Sequence, residues 1–246
     1  MKTIAIWTIK GGVGKTSAAV NLAYSAATDG LRTLLWDLDP QGAASFYLRI
    51  PATEGTAVRS LTRKKSNLAD LTKPTEFDNL SMLPADFSNR HLDLALGEAK
   101  KPEKRLAAKL AGLESFFDLV FLDCPPSVSL VSEAVINTVD AVVVPVIPST
   151  LSMRTLHQVR AFVSEQSRGV DVIPFLSMVD RRKKMHTKIG LACLADPAFL
   201  GVTIPSASVV EKMGLTRAPV AATLPSQPAA RAFAALWREL RDRIDV

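Results

Sequence analysis

Residues 10–17 read Lys10-Gly11-Gly12-Val13-Gly14-Lys15-Thr16-Ser17. Glycines at 11, 12 and 14 let a chain turn tightly and aim successive backbone N–H groups inward, which makes a cradle for anionic oxygens. A helix starting at Thr16 adds the positive end of its dipole to that cradle. Lys15 is placed to reach β- and γ-phosphate oxygens, and the Thr16 hydroxyl is a ligand for Mg²⁺. The chemistry is that of a nucleotide polyphosphate. The usual spacing, G-x-x-x-x-G-K-[ST], asks for glycine at position 9, and this chain has Ile9 there.

Two further segments supply carboxylates. Trp36-Asp37-Leu38-Asp39-Pro40-Gln41-Gly42 ends one apolar run, and Phe121-Leu122-Asp123-Cys124-Pro125-Pro126-Ser127 ends another. Alternation along a strand puts Asp37 and Asp39 on the same side. The carboxyl ends of strands are where open α/β sheets bind ligands. An apolar strand delivering an aspartate is the arrangement that holds Mg²⁺ through water, which assigns that task to Asp123. Pro125 and Pro126 stiffen the turn that follows.

The elements that must position these groups alternate. Short apolar or β-branched runs cover Thr3–Thr8, Arg32–Asp37, Leu80–Leu83, Leu119–Leu122, Ala141–Ile147 and Val172–Met178. Helical periodicity covers Thr16–Ala27, Val128–Thr138 and Leu151–Gln166. Continuous apolar strands separated by helices predict an α/β fold with a mostly parallel, doubly wound sheet flanked by helices on both faces. No internal repeat or long linker divides the chain, so residues 1–246 read as a single domain. The less regular stretch from Pro51 to Pro74, with Arg63-Lys64-Lys65, reads as an excursion at the sheet's edge.

Composition narrows the class. With 48% hydrophobic and 22% charged residues over 246, the balance is globular and excludes fibrous or low-complexity chains. Two cysteines, Cys124 and Cys193, cannot build a disulfide framework or a four-cysteine zinc site. No signal peptide or membrane-spanning run is evident, which predicts a reduced, cytoplasmic protein. The net charge of +6 is unevenly placed: residues 1–153 hold 16 basic and 16 acidic side chains, and residues 154–246 hold 14 and 8. A basic excess confined to one part of a chain suits a polyanion partner.

Lys10-Gly-Gly-Val-Gly-Lys-Thr resembles the deviant Walker A loop of the ParA/MinD group of P-loop ATPases, in which Lys10 would be the signature lysine. The resemblance extends over nearly the whole chain. Asp37-Leu-Asp39-Pro-Gln is similar to the group's switch I, and Asp123-Cys-Pro-Pro to its switch II. It implies a P-loop NTPase that binds ATP and Mg²⁺ and forms a homodimer on ATP binding, with Lys10 reaching the partner subunit's phosphates. It also implies that Asp39 positions or activates the attacking water and joins Thr16 and Asp123 around the metal. Asp37 would lie near the metal shell and the signature lysine. Adenine contacts would fall near Met178, Asp180, Arg181 and Pro205.

Within the group, neither cysteine has the neighbouring glycines of a cluster-bridging reductase, and two tyrosines are too few for a tyrosine autokinase tail. Phe233, Leu236, Trp237, Leu240 and Ile244 fall at helical spacing with Arg231, Arg238, Arg241 and Arg243 between them. This reads as a terminal helix packed on its own domain, with a MinD-like membrane-associated positioning ATPase as the alternative. Asp-Pro-Gln-Gly favours the ParA type, and no DNA-binding extension precedes the loop. The resemblance therefore implies a small, nucleoid-associated ParA-type ATPase that binds DNA non-specifically and positions a cargo. The cargo is a plasmid, chromosome, chemoreceptor cluster or carboxysome-like microcompartment. A ParB-like adaptor stimulates hydrolysis, and no membrane partner is expected. The candidate DNA contacts are Lys183, Lys184, Lys188, Arg217, Arg231, Arg238 and Arg241.

Overall fold

A computed structural model describes residues 1–52, 67–86, 102–167 and 169–246. One sheet runs through it. Its parallel strands are β1 (Lys2–Ile6), β2 (Thr33–Asp37), β4 (Leu80–Leu83), β5 (Leu119–Asp123), β6 (Ala141–Val146), β7 (Asp171–Val179) and β8 (Thr203–Pro205). The two-residue β3 (Lys73–Pro74) pairs antiparallel with β4 at one edge. The order is β3-β4-β2-β5-β1-β6-β7-β8. β1 is therefore central, and the winding reverses on either side of it.

The strands form where the sequence is apolar on both faces. β2, β5 and β6 are buried at every position. Alternate side chains feed two separate cores. Ile4, Ile6, Leu35, Phe121 and Val143 face one layer, built with α1 (Lys15–Thr28) and α10 (Pro228–Ile244). Ala5, Trp7, Leu34, Trp36, Val120, Leu122 and Val142 face the other, built with α3 (Pro102–Ala111), α4 (Leu130–Ile136) and α5 (Thr150–Gln166). The mostly parallel, doubly wound α/β sheet read from the sequence is the one observed.

Boundaries shift for local reasons. β1 stops at Ile6 rather than Thr8: Trp7 N–H donates a last bond to the Val143 carbonyl at 3.1 Å, and the chain then turns into the glycine loop. β7 runs on to Val179, with Met178 in a left-handed conformation (φ 54°) at an irregularity in the pairing with β8. The short β8 and the brief helices α7 (Ser208–Glu211), α8 (Met213–Thr216) and α9 (Val220–Thr223) are too short to show a period in sequence. Arg63, Lys64 and Lys65 lie outside the described residues; after them, β3 caps the sheet's edge.

Candidate functional site

The central strand releases its chain directly into the glycine loop, which ends on α1. Gly12 and Gly14 are left-handed (φ 69° and 90°), a region where side chains are strained. A Cβ on Gly14 would also approach the Ser177 hydroxyl to 3.0 Å. That hydroxyl donates to the Val13 carbonyl at 2.9 Å and ties the loop to β7. Gly14 is the N-cap of α1, and no side chain caps the helix. Its first N–H groups are thus left for an external acceptor.

Lys15 is buried, with its ammonium 3.4 Å from the Lys10 carbonyl. Burial lowers its pKa, and the charges of Asp123 and Asp39 oppose that shift. Lys10 turns away from this centre: its ammonium donates to the Ser152 hydroxyl at 3.1 Å, at the start of α5. Ser152 is buried, and its backbone N–H is capped by Ser149.

Carboxylates gather near this centre from the end of β2 (Asp37), the loop after it (Asp39) and the end of β5 (Asp123), and the charges of Asp39 and Asp123 bear on Lys15. Asp37 and Asp123 are register partners on adjacent strands, and both are buried. Both Asp123 oxygens lack a hydrogen-bond partner. The Thr16 hydroxyl is near enough to favour the carboxylate's charged form but is not in bonded geometry. Burial, then the Asp37 charge, holds the Asp123 pKa well above the ordinary range. An orphaned, buried carboxylate beside a threonine hydroxyl fits a hydrated divalent cation, which supplies the missing partners. Among the described residues no group of three or more His, Cys, Asp or Glu could hold a metal by itself. A cation here would rest on Asp123, Thr16, water and the ligand's own oxygens.

Asp37 is differently employed. Oδ1 accepts the Asp39 N–H at 3.2 Å, and Oδ2 accepts both the Ser45 N–H (2.9 Å) and the Ser45 hydroxyl (2.8 Å). Burial still pushes it up to about 6. Its oxygens are thus engaged within the chain rather than free for a metal. Cys124 is buried, and burial next to Asp123 pushes its thiol well up, which leaves it unreactive.

A cleft of about 220 Å³ opens beside the loop. Gly12, Gly14 and Ser17 form one side; Met178, Ile204, Pro205 and Val210 form the other. Met178 and Pro205, expected near the base, line it. Asp180 and Arg181 do not. Asp180 instead binds the Arg182 guanidinium at 2.9 and 3.0 Å, and those bonds hold its carboxyl well below the usual range. Its backbone N–H donates to His186 Nδ1. Sequence reasoning missed Tyr47, Ser177, Ser206 and Glu211 in this wall. Ser177 had a visible signal, a hydroxyl inside the apolar run Phe175-Leu176-Ser177-Met178; the others come from segments without periodicity.

The basic candidates divide. Arg217 donates to the Phe46 carbonyl and stacks on the Phe46 ring, 4.6 Å from its centroid. Arg241 pairs with Asp29 and Asp242. Lys183, and Lys184 and Lys188 on α6 (Lys184–Leu194), are exposed, as are Arg231 and Arg238 on α10. None of these five has an ion-pair partner among the described residues. α6 packs through Ile189 and Cys193 on one core and α10 on the other, so the exposed cations flank the sheet from its two faces.

The apolar stripe of α10 is inside the first core. Phe233, Leu236, Trp237, Leu240 and Ile244 are all buried, and the Trp237 indole donates to Asp29 at 2.7 Å. This helix has no apolar face left to lie on a membrane. Among the described residues no helix is long and apolar enough to cross one.

The family described as an AAA domain matches residues 1–171. The chain is 31% identical over 199 residues to the chromosome partitioning protein ParA of Caulobacter vibrioides, covering 77% of this chain and 74% of that protein. It is 34% identical over 194 residues to the sporulation initiation inhibitor protein Soj of Bacillus subtilis, covering 76% and 77%. Its fold is similar to that of cobyrinic acid a,c-diamide synthase from Mycobacterium smegmatis, solved with bound ADP and magnesium. That match has a TM-score of 0.80 at 23% identity and covers 99% of this chain and 95% of the other.

Proposed function

The chain belongs to the ParA/MinD group of P-loop ATPases, and from that membership we propose that it is a ParA-type partitioning or positioning ATPase acting as one domain over residues 1–246. It binds ATP with Mg²⁺, dimerises around the nucleotide, holds non-specific DNA and is released by hydrolysis. The observation that carries this reading is the buried, unpartnered Asp123 carboxylate beside Thr16 and Lys15, under a glycine loop whose N–H groups lead into α1.

The residues divide the work by position. The loop N–H groups and Lys15 neutralise phosphate oxygens. Thr16 and Asp123 would hold a Mg²⁺ ion, which would supply positive charge to stabilise the phosphates during transfer. Asp39, half-buried in the loop after β2, orients the attacking water. Lys10 leaves Ser152 and serves the partner subunit's nucleotide, which makes ATP the link between subunits. Lys183, Lys184, Lys188, Arg231 and Arg238 contact DNA phosphates. Their placement on both faces suits a dimer that presents several basic edges. A cargo-bound adaptor accelerates hydrolysis, and the protein resides in the cytoplasm on the nucleoid.

The test is binding to non-specific duplex DNA with ADP, with ATP and with ATP at raised salt, alongside phosphate release. Binding with ATP alone, lost as salt rises, is expected, because phosphate contacts release counterions. Equal binding with ADP and ATP would overturn the nucleotide-gated dimer, and no binding in any state would remove DNA from the proposal.

A further inference from the structure

The loop that carries Asp39 is short of support of its own. It leads into α2 (Ala43–Tyr47), a helix of five residues, too short to hold its shape without tertiary anchors. At its start, Leu38 N–H donates to the Asp123 carbonyl at 2.9 Å. Within it, the Gln41 N–H closes on the Asp39 carboxylate, and the Gly42 N–H on the Asp39 carbonyl, both at 2.9 Å. Gly42 is left-handed (φ 65°), and a Cβ there would come within 3.3 Å of Ala85.

At its end the anchor is Ser45. The Ser45 hydroxyl donates to Asp37 at 2.8 Å and accepts the Ala85 N–H at 2.8 Å. Ser45, Asp37 and Ala85 are all buried. One hydroxyl thus joins the end of β2, the start of α2 and the chain beyond β4. The same Asp37 carboxylate receives the Asp39 backbone N–H. The far end of α2 is gripped separately: Arg217 donates to the Phe46 carbonyl and Arg49 to the Thr216 carbonyl.

We infer that Ser45 is a positioning residue: it fixes Asp37 and, through it, the backbone that presents Asp39 to the nucleotide. Ser45 is not in the wall of the base cleft, so its contribution falls on the geometry of the step rather than on nucleotide affinity. Removing its hydroxyl strands the buried Ala85 N–H and deprives Asp37 of a donor, so residues 39–45 lose their shared anchor. The inference rests on the proposed hydrolysis for its kinetic consequence and on the fold alone for its structural one.

The experiment compares Ser45→Ala and Ser45→Thr with the unaltered chain. It measures turnover with ATP, affinity for ADP, and amide hydrogen exchange across the protein. For Ser45→Ala, turnover is expected to fall about 10- to 100-fold with ADP affinity held within about threefold, and Ser45→Thr, which keeps the hydroxyl, is expected to recover most of the rate. Exchange should quicken at residues 39–45 and at Ala85 while α1 and α10 stay protected. Unchanged turnover in Ser45→Ala overturns the inference. So does a parallel loss of turnover, affinity and protection throughout the sheet, which would mark a merely structural residue. If the unaltered chain does not hydrolyse ATP, the ATPase reading fails and exchange alone decides: local quickening at 39–45 sustains Ser45 as the anchor, and unchanged protection there overturns it.

Discussion

The Lys10 ammonium rests on the Ser152 hydroxyl of its own chain, 3.1 Å away, rather than on any group of the glycine loop. A lysine proposed to serve a partner subunit must first break this contact. Ser152→Ala removes the resting place, and a half-exposed charged hydrogen bond contributes about 1 kcal/mol. Each subunit of the dimer gives up one such contact, about 2 kcal/mol in all, so the ATP-dependent dimer is expected to tighten roughly 30-fold in sedimentation at varied protein concentration. Lys10→Ala should have the opposite effect, weakening the dimer while ADP affinity stays near normal. A Ser152→Ala dimer no tighter than the original would mean that the contact does not compete.

Lys15 and Asp39 should fail in different ways. Lys15 is buried beneath the loop with the charges of Asp123 and Asp39 bearing on it, so Lys15→Ala leaves those carboxylates uncompensated. Nucleotide binding should be lost in equilibrium dialysis. Asp39 is held through its backbone and leaves its side chain near the surface, so Asp39→Ala should still bind nucleotide and dimerise while turnover stops. Normal turnover by Asp39→Ala would remove the water-orienting role.

Stability should depend on pH in an unusual direction. Burial raises Asp37 from an ordinary 3.8 to about 6 in the folded chain. Between those values the folded state holds more protons than the unfolded one, so stability falls as pH rises. Asp123 is shifted in the same direction by the same cause. The nucleotide-free protein should melt at higher temperature at pH 5 than at pH 7.5, at constant ionic strength. Over that pH range the Asp37 share is about 1.4 kcal/mol. Mg²⁺ with nucleotide, by giving Asp123 a cation, should flatten the slope. A melting temperature that rises steadily from pH 5 to pH 7.5 would contradict this account.

The last helix should matter to stability rather than to membranes. Trp237 is buried against Phe121 and donates to Asp29. Trp237→Ala is expected to cost about 3–5 kcal/mol in denaturant unfolding. Vesicles of anionic lipid should not retain the unaltered chain, because its apolar stripe is already covered. Retention that disappears when residues 231–246 are removed would show the helix leaving its core.

What was legible in the sequence was whatever had a period or a motif. Runs such as Val142-Val143-Val144 have one conformation in which every side chain is buried, so the central strands and both cores could be read directly. The glycine loop was legible because its backbone requirement is written in residue types. The cleft beside the glycine loop was only partly so. Met178 ends an apolar run that could be placed and Pro205 came through the family resemblance, whereas Tyr47, Ser206 and Glu211 reach the cleft from short segments whose path is set by tertiary contacts. Asp37 was the subtler case: spacing put it beside Asp39, but only the fold reveals that Ser45 and the Asp39 backbone already occupy its oxygens.

The strand order also governs how this protein comes into being on the ribosome. β1 is made first, yet its partners are β5 and β6, and its Thr3 N–H waits for Asp140, 137 residues later in the chain. Until β5 (Leu119–Asp123) is made the oldest strand has no neighbour on either side, and its apolar residues are open to chance encounters. At a synthesis rate of about 5–20 residues per second, that interval lasts on the order of ten seconds. The glycine loop hangs from the end of that strand and gains its tie to Ser177 later still. A chain stalled before β7 therefore has no half-built site to bind nucleotide: the glycine loop gains its tie only once Ser177 has been made.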